Sequence, residues 1–227
     1  MEDTNNPNQL VVEGYDDLSA IVNLMRSFVD WPEGKDSKEK APVYIHIGNG
    51  AEEILKDGYL SVFLKGPTLQ TAGIVLDADT KPRGRYTRVR TLCLNQFPNL
   101  PLDLPPDGLV VENAEKKRFG VWVMPDNASD GSIETFLRWL IPDQHESTWR
   151  HAEESVRAAR ALGCPCRDGH VEKAYLYTWL AWQNPPGQSP GIAVAKKILD
   201  ATNPRAASFV AWFSGLYQLP PKSTLFN

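Results

Sequence analysis

A chain of 227 residues with 42% hydrophobic composition can bury a substantial core, enough for one large domain or two small ones, which excludes wholesale disorder. At 23% charged residues and a formal net charge of -4, it is neither a basic nucleic-acid coat nor a polybasic membrane binder, so any contact with a polyanion has to be local. No apolar run reaches the roughly 18 residues of a membrane span, and the acidic, Asn-rich start from Met1 to Asn8 lacks the features of a signal peptide. With three cysteines, a complete disulfide framework is excluded, and a cytoplasmic location without membrane contact is expected.

In chain order, Gln9 to Val12 is a short β-type run, followed by Glu13-Gly14 and then by Leu18, Ile21, Val22, Met25 and Phe28 at helical spacing. A charged loop from Glu33 to Lys40 leads to a second strand, Val43 to Ile47, which ends at Gly48-Asn49-Gly50 and is succeeded by a helix over Ala51 to Lys56. Thr71 to Leu76 is a third strand running into Asp77-Ala78-Asp79, and the spacing predicts a helix over Tyr86 to Phe97. Four prolines between Pro98 and Pro106 mark an irregular connection. Leu109 to Glu112 and Phe119 to Met124 follow as strands, joined as a hairpin by Asn113 to Arg118. Ile133, Phe136, Leu137 and Leu140 mark a helix with Glu134 in its first turn. Everything past Pro142 reads as helical: Ser147 to Leu162, Val171 to Trp182, Ile192 to Leu199 and Ala206 to Leu216.

Strands alternating with helices imply a mainly parallel sheet, because parallel neighbours need a crossover and a helix supplies it. The expected class is α/β, with an α/β core over residues 8–141 and a helical C-terminal extension over 142–227 packed on that core. In an open parallel sheet the ligand site lies beyond the carboxyl ends of the strands, and acids recur there: Glu13, Asp77, Asp79 and Asp126, with Glu134 shortly after. If Asp77-Ala78-Asp79 is extended, its two carboxylates face the same side. Several acids at one edge, with no basic partner in the same turns, point to a divalent cation. Carboxylates without Cys or His suit Mg²⁺ or Mn²⁺, and Mg²⁺ chemistry points to phosphate. Lys81, Arg83, Arg85, Arg88 and Arg90 follow directly with no acid among them, a basic strip able to bind a phosphate backbone or merely a solvated face.

Val11-Val12-Glu13-Gly14-Tyr15-Asp16-Asp17-Leu18 and Ile74-Val75-Leu76-Asp77-Ala78-Asp79 together resemble the two signatures of the TOPRIM domain, the metal-binding module of primases, topoisomerases and OLD-type nucleases. Val121 to Asn127 and Thr178 to Gln183 resemble the uncharacterised DUF3226 family, and that likeness covers nearly the whole chain. The resemblance implies a TOPRIM-like fold in which Glu13 is a metal ligand or general acid/base, Asp77 and Asp79 are metal ligands, Asp17 is an additional acid of the OLD type, Glu134 matches a late glutamate and Lys173 a phosphate-facing lysine. Short length and the lack of zinc-ribbon cysteines count against primase or topoisomerase.

The activity expected on these grounds is metal-dependent phosphoryl transfer, most plainly a nuclease acting on DNA or RNA with carboxylate-bound Mg²⁺ or Mn²⁺, and with Lys81, Arg83, Arg85 and Lys173 facing phosphate. A non-catalytic interaction module and a hydrolase of a small phosphate ester remain open as alternatives. With no Gly-x-x-x-x-Gly-Lys-Ser/Thr loop, any control by ATP needs a separate ATPase or regulatory protein. Asp126 and Asp130 equally suit loop acids or a helix cap, His46 suits a packed strand position, and Trp179, Trp182 and Tyr175 suit packing. Cys164-Pro165-Cys166 lacks the spacing and the second pair of a zinc site.

Overall fold

Runs rich in Val, Ile and Leu that are apolar on both sides form strands buried on both faces. The computed structural model, which describes residues 4–33 and 40–223, has five: β1 (Asn8–Val12), β2 (Tyr44–Ile47), β3 (Thr71–Asp77), β4 (Leu109–Glu112) and β5 (Arg118–Met124). Residues 1–3, within the acidic start, and 34–39, within the charged loop, lie outside the described residues, as do 224–227. The strand order is β2-β1-β3-β5-β4. All neighbours are parallel except β4, which pairs antiparallel with β5 across the expected hairpin.

The helices are α1 (Tyr15–Met25), α2 (Ala51–Ile54), α3 (Tyr59–Phe63), α4 (Pro82–Cys93), α5 (Ile133–Arg138), α6 (Glu146–Ala161), α7 (Val171–Ala181), α8 (Pro190–Ala195) and α9 (Ala207–Tyr217). The α/β class and the helical C-terminal part agree with the expectation. Several boundaries differ; α8, for one, covers Pro190–Ala195 in place of the expected Ile192 to Leu199. The helix expected over Tyr86–Phe97 begins four residues earlier, because Pro82 supplies a pre-set φ at a first-turn position where its missing N–H costs nothing. Arg83-Gly84-Arg85 hides that turn from an apolar pattern. The helix expected over Ala51–Lys56 is one turn long, and α3 follows it from Gly58, whose φ of 93° places it in the left-handed region.

Alternation along the strands splits the core into two layers. Val11, Ile74, Leu76, Phe119, Val121 and Val123 face the layer covered by α2, α3 and α4. Leu10, Val12, Val75, Trp122 and Met124 face the other, which contains Ile21 and Leu24 of α1, Trp179 of α7, and Phe209 and Phe213 of α9. Burying an aromatic of this size stabilises by roughly 2–3 kcal/mol relative to exposure, so residues past 142 are integral to that sheet face. Two glycines permit the close approach of α9: a Cβ on Gly120 would lie 2.5 Å from Leu216 Cδ2, and one on Gly73 would lie 2.3 Å from the Tyr217 hydroxyl. That hydroxyl donates to the Gln9 carbonyl at 2.9 Å. The consequence for function is that the carboxyl ends of β1 and β3 and the start of α5 open on one rim.

Candidate functional site

Glu13 is the first residue past β1, and Gly14 then turns the chain into α1 with extended backbone. Asp16 and Asp17 occupy the first turn, where the helix dipole favours acids. Asp17 Oδ2 accepts from the Gly14 N–H at 3.0 Å, the return half of a capping box. Glu13 spans two elements: Oε1 accepts from the Asp77 N–H at 2.8 Å and Oε2 from the Ala51 N–H at 3.1 Å, capping α2. Asp77, at the end of β3, caps α5 by accepting from the Ile133 N–H on Oδ1 at 2.8 Å. Glu134, in the first turn of α5, accepts from the Ser132 hydroxyl at 2.8 Å. Each of these carboxylates therefore has a structural occupation as well as a place on the rim.

These structural occupations do not satisfy the cluster. Asp17 is 5% exposed and its Oδ1 is buried with no hydrogen-bond partner among the described residues. Burial first, then the charges of Glu13 and Glu134, push its carboxyl up to about 7. Asp77 is raised well above the usual aspartate range by burial and then by Asp17, Glu13 and Glu134, against the hydrogen bond from Ile133. Burial also raises Glu13, outweighing the Asp77 N–H and the charge of Arg85. The repulsion among these acids is the mark of a site short of positive charge.

One cation comes from the C-terminal part. Lys173 on α7 places Nζ 2.6 Å from Asp16 Oδ2 and 3.8 Å from Glu134 Oε1. Burial opposes its charge, yet the hydrogen bond and charge of Asp16 hold it above the usual lysine range. The Tyr177 hydroxyl, one turn further on, donates to the same Asp16 oxygen at 3.0 Å, and burial with that acid pushes it up to about 12. Asp16 and Tyr177 carry no role in the sequence-based reading. A signal existed in the pair Asp16-Asp17, since consecutive helical residues point about 100° apart and only one can face the sheet.

Asp79 departs from expectation. The Asp77-Ala78-Asp79 segment is not extended, because Asp79 has a φ of 52° and exchanges backbone hydrogen bonds of 2.8 Å with Gly131. The two carboxylates do not share a side: Asp79 is exposed and paired with Arg85, which also reaches Glu52 at 3.4 Å. The supposed lack of basic partners is corrected by that pair and by Lys173. The basic strip is largely engaged as well, with Arg83 on Asp103 at 2.9 Å and Arg88 on Asp57 at 2.7 Å. Lys81 is exposed at the head of α4 without an ion-pair partner among the described residues. Together Glu52, Asp57, Asp79, Lys81, Arg85 and Arg88 line an open cleft of about 800 Å³.

Elsewhere, Asp126 caps its own loop by accepting from the Ala128 and Ser129 N–H groups. His46 is packed, 2.9 Å from Gln9 Oε1 and edge-on to Phe63. Trp179 is fully buried, while Trp182 is half exposed and stacks on His151.

Among the described residues, no group of three or more His, Cys, Asp or Glu side chains is arranged so that it could hold a metal ion. The fit to a cation rests instead on donor chemistry. The free donors are carboxylate oxygens, which suit a hard ion, and Mg²⁺ is commonly held by one or two carboxylates with waters completing its shell. Asp17 Oδ1 is the unsatisfied oxygen that such an ion would complete. A hard ion at this rim would draw on Asp17 first, with Asp77, Glu134 and Glu13 as its carboxylate neighbours, whereas Asp79 is engaged by Arg85.

No curated protein and no solved structure matches this chain. A family model described as a protein of unknown function, DUF3226, matches residues 7–218, from the lead into β1 to the end of α9. The match takes in the carboxylate rim and the lysine of α7 alike, and the chain belongs to the DUF3226 family.

Proposed function

We propose that this protein is a metal-dependent phosphoryl-transfer enzyme, a nuclease cleaving DNA or RNA phosphodiesters, whose core is TOPRIM-like and related to the OLD-type nucleases. The observation that carries this reading is the rim of Asp17 and Asp77, both raised first by burial and then by neighbouring carboxylates, with Asp17 Oδ1 lacking a hydrogen-bond partner among the described residues. Asp17, Asp77 and Glu134 would hold Mg²⁺ or Mn²⁺. Such an ion would supply positive charge for the phosphoryl oxygens and acidify a bound water. The chain's own groups divide the remaining work. Glu13, fixed by two backbone donors and raised by burial, is suited to take a proton from an attacking water at neutral pH. Lys173, charged and oriented by Asp16, offsets charge on the scissile phosphate. Nucleic acid is the proposed partner, the proposed location is cytoplasmic, and a separate ATPase or regulatory protein would supply any control by ATP.

Hydrolysis of a small phosphate ester is the second reading, favoured by one observation: the arginines of the α4 cleft are already paired with acids. Incubation of the purified protein with labelled DNA, labelled RNA and a chromogenic phosphomonoester, in Mg²⁺, Mn²⁺ and EDTA, separates the two. The nuclease reading expects metal-dependent cleavage of a polynucleotide that Glu13→Gln and Asp77→Asn each reduce by about 10²-fold or more while the protein stays folded. Cleavage unchanged in both variants would reject the site, and monoester hydrolysis alone would favour the second reading.

A further inference from the structure

If the α4 strip is neutralised by its own acids, a strand bound for the carboxylate rim needs cations elsewhere. The C-terminal part provides them. A second groove, about 320 Å³, lies between the 165–170 segment and α7 and is lined by Arg167, His170, Lys173, Tyr177, Pro165 and Ala174. Pro165 and Ala174 are apolar parts of its lining, Arg167 and Lys173 cationic ones. Arg167 and His170 are exposed and have no side-chain ion pair or hydrogen bond with any described residue. Of the acids nearest in sequence, Asp168 pairs with Arg160, and Glu172 is held above the usual glutamate range by burial first and then by Glu153 and Glu134. His170 and Lys173 are three residues apart at the head of α7, a spacing that places them on one face. Lys173 is the link, since it lines this groove and also stands 3.8 Å from Glu134 of the rim.

We propose that this groove is where the phosphodiester backbone of the substrate strand is held, with Arg167, His170 and Lys173 as successive phosphate contacts leading away from the carboxylate rim. The inference rests on the nuclease reading and gives it a substrate class. A small ester placed at the rim would need only Lys173, which Asp16 already pairs, whereas the unpaired Arg167 and His170 on the same groove match further phosphates of a chain. Arg167 supplies a planar fork of donors suited to phosphate oxygens. Pro165, Ala174 and the Tyr177 ring give the strand's sugars and bases an apolar surface to cover.

The test is fluorescence anisotropy of a labelled single-stranded oligodeoxynucleotide of about 12 residues, titrated with protein in EDTA over a range of salt. The double variant Arg167→Ala/His170→Ala should bind about tenfold more weakly at low salt, and the slope of log affinity against log salt should fall by about 0.7 for each phosphate no longer neutralised. Both residues are exposed, so the melting temperature should stay at the wild-type value, as should the stabilisation produced by Mn²⁺. Wild-type affinity in the double variant overturns the proposal, as does a weakening that falls on Arg83→Ala instead, or a wild-type protein that binds no strand. Failure of the nuclease reading is distinguishable. A wild-type protein that gains no stability from Mn²⁺ and cleaves nothing, yet binds the strand less tightly in the Arg167→Ala/His170→Ala variant, would keep the groove and discard the metal-dependent activity.

Discussion

Asp17→Asn tests whether the rim is short of positive charge. Asp17 is an acid whose folded-state value, about 7, lies above its ordinary value near 3.9. Between those values the native state holds a proton that the unfolded chain has released, so stability is greatest at acid pH and falls as pH rises from about 4 through about 7. A separation of about 3 pH units corresponds to at most ~4 kcal/mol. Sharing of the proton with Asp77 and relaxation of the rim reduce that figure, and a penalty of about 2 kcal/mol at pH 8 is a fair expectation. The asparagine removes the charge while its carbonyl oxygen can still accept from the Gly14 N–H, and its amide nitrogen offers donors where Oδ1 now has no partner. In EDTA at pH 8 the variant should therefore melt about 4–8 °C above wild type. At pH 5, where Asp17 is itself protonated, the gain should shrink to within about 1 °C. Mn²⁺ at 100 times its dissociation constant should stabilise the wild type by about 2.7 kcal/mol and the variant hardly at all. Thermal unfolding followed by circular dichroism at the two pH values, with and without Mn²⁺, decides it. A variant less stable than wild type at pH 8, or equally stabilised at pH 5, would refute the electrostatic account.

Two further outcomes follow from the packing around the rim. Asp77→Ala removes the acceptor of the Ile133 N–H and should cost about 1 kcal/mol of stability at pH 5, whereas Asp77→Asn keeps an acceptor and should cost less; equal melting temperatures for the two variants would show that Asp77 does not cap α5. Gly120→Ala sets a methyl group 2.5 Å from Leu216 and should destabilise by about 1–3 kcal/mol, read by urea unfolding, with no change in Mn²⁺ binding because α9 lies away from the rim.

Much of the fold was legible because its signals are local. The Val-Ile-Leu runs of β1, β3 and β5 and the apolar spacing of α1, α6 and α7 each lie within one element. Missed details depended on geometry that no window contains. The first turn of α4 has almost no apolar content, so only Pro82 announces it. Asp79 looked like a twin of Asp77, and nothing short of the pairing with Gly131, 52 residues on, reveals that the chain has already left the strand. The strip from Lys81 to Arg90 contains no acid, but its partners Glu52, Asp57, Asp79 and Asp103 come from before and after it. Charge runs read from sequence omit the acids that the fold brings to them.

The same dependence on distant partners bears on how a cap is told from a ligand. Glu13, Asp17 and Asp77 all stand at helix starts, and a cap alone would explain an acid at each position. A cap needs one oxygen bound to an N–H and leaves the other to solvent. Asp126 leaves neither oxygen unmatched: half-buried, it binds the Ala128 and Ser129 N–H groups with one and the Ser129 hydroxyl with the other. Asp17 instead keeps its second oxygen inside the protein, away from water and among other carboxylates. Leaving a buried polar atom unpaired costs on the order of 1–3 kcal/mol, and a cap made by Ser or Asn at a solvated position would avoid that cost. An arrangement that carries that cost is accounted for when another partner supplies the missing positive charge; among the described residues Lys173 stands 3.8 Å from Glu134 but is bound first to Asp16, and Arg85 acts on Glu13. The second oxygen, more than the presence of the acids, is what separates a carboxylate rim built for a ligand from one that merely ends helices.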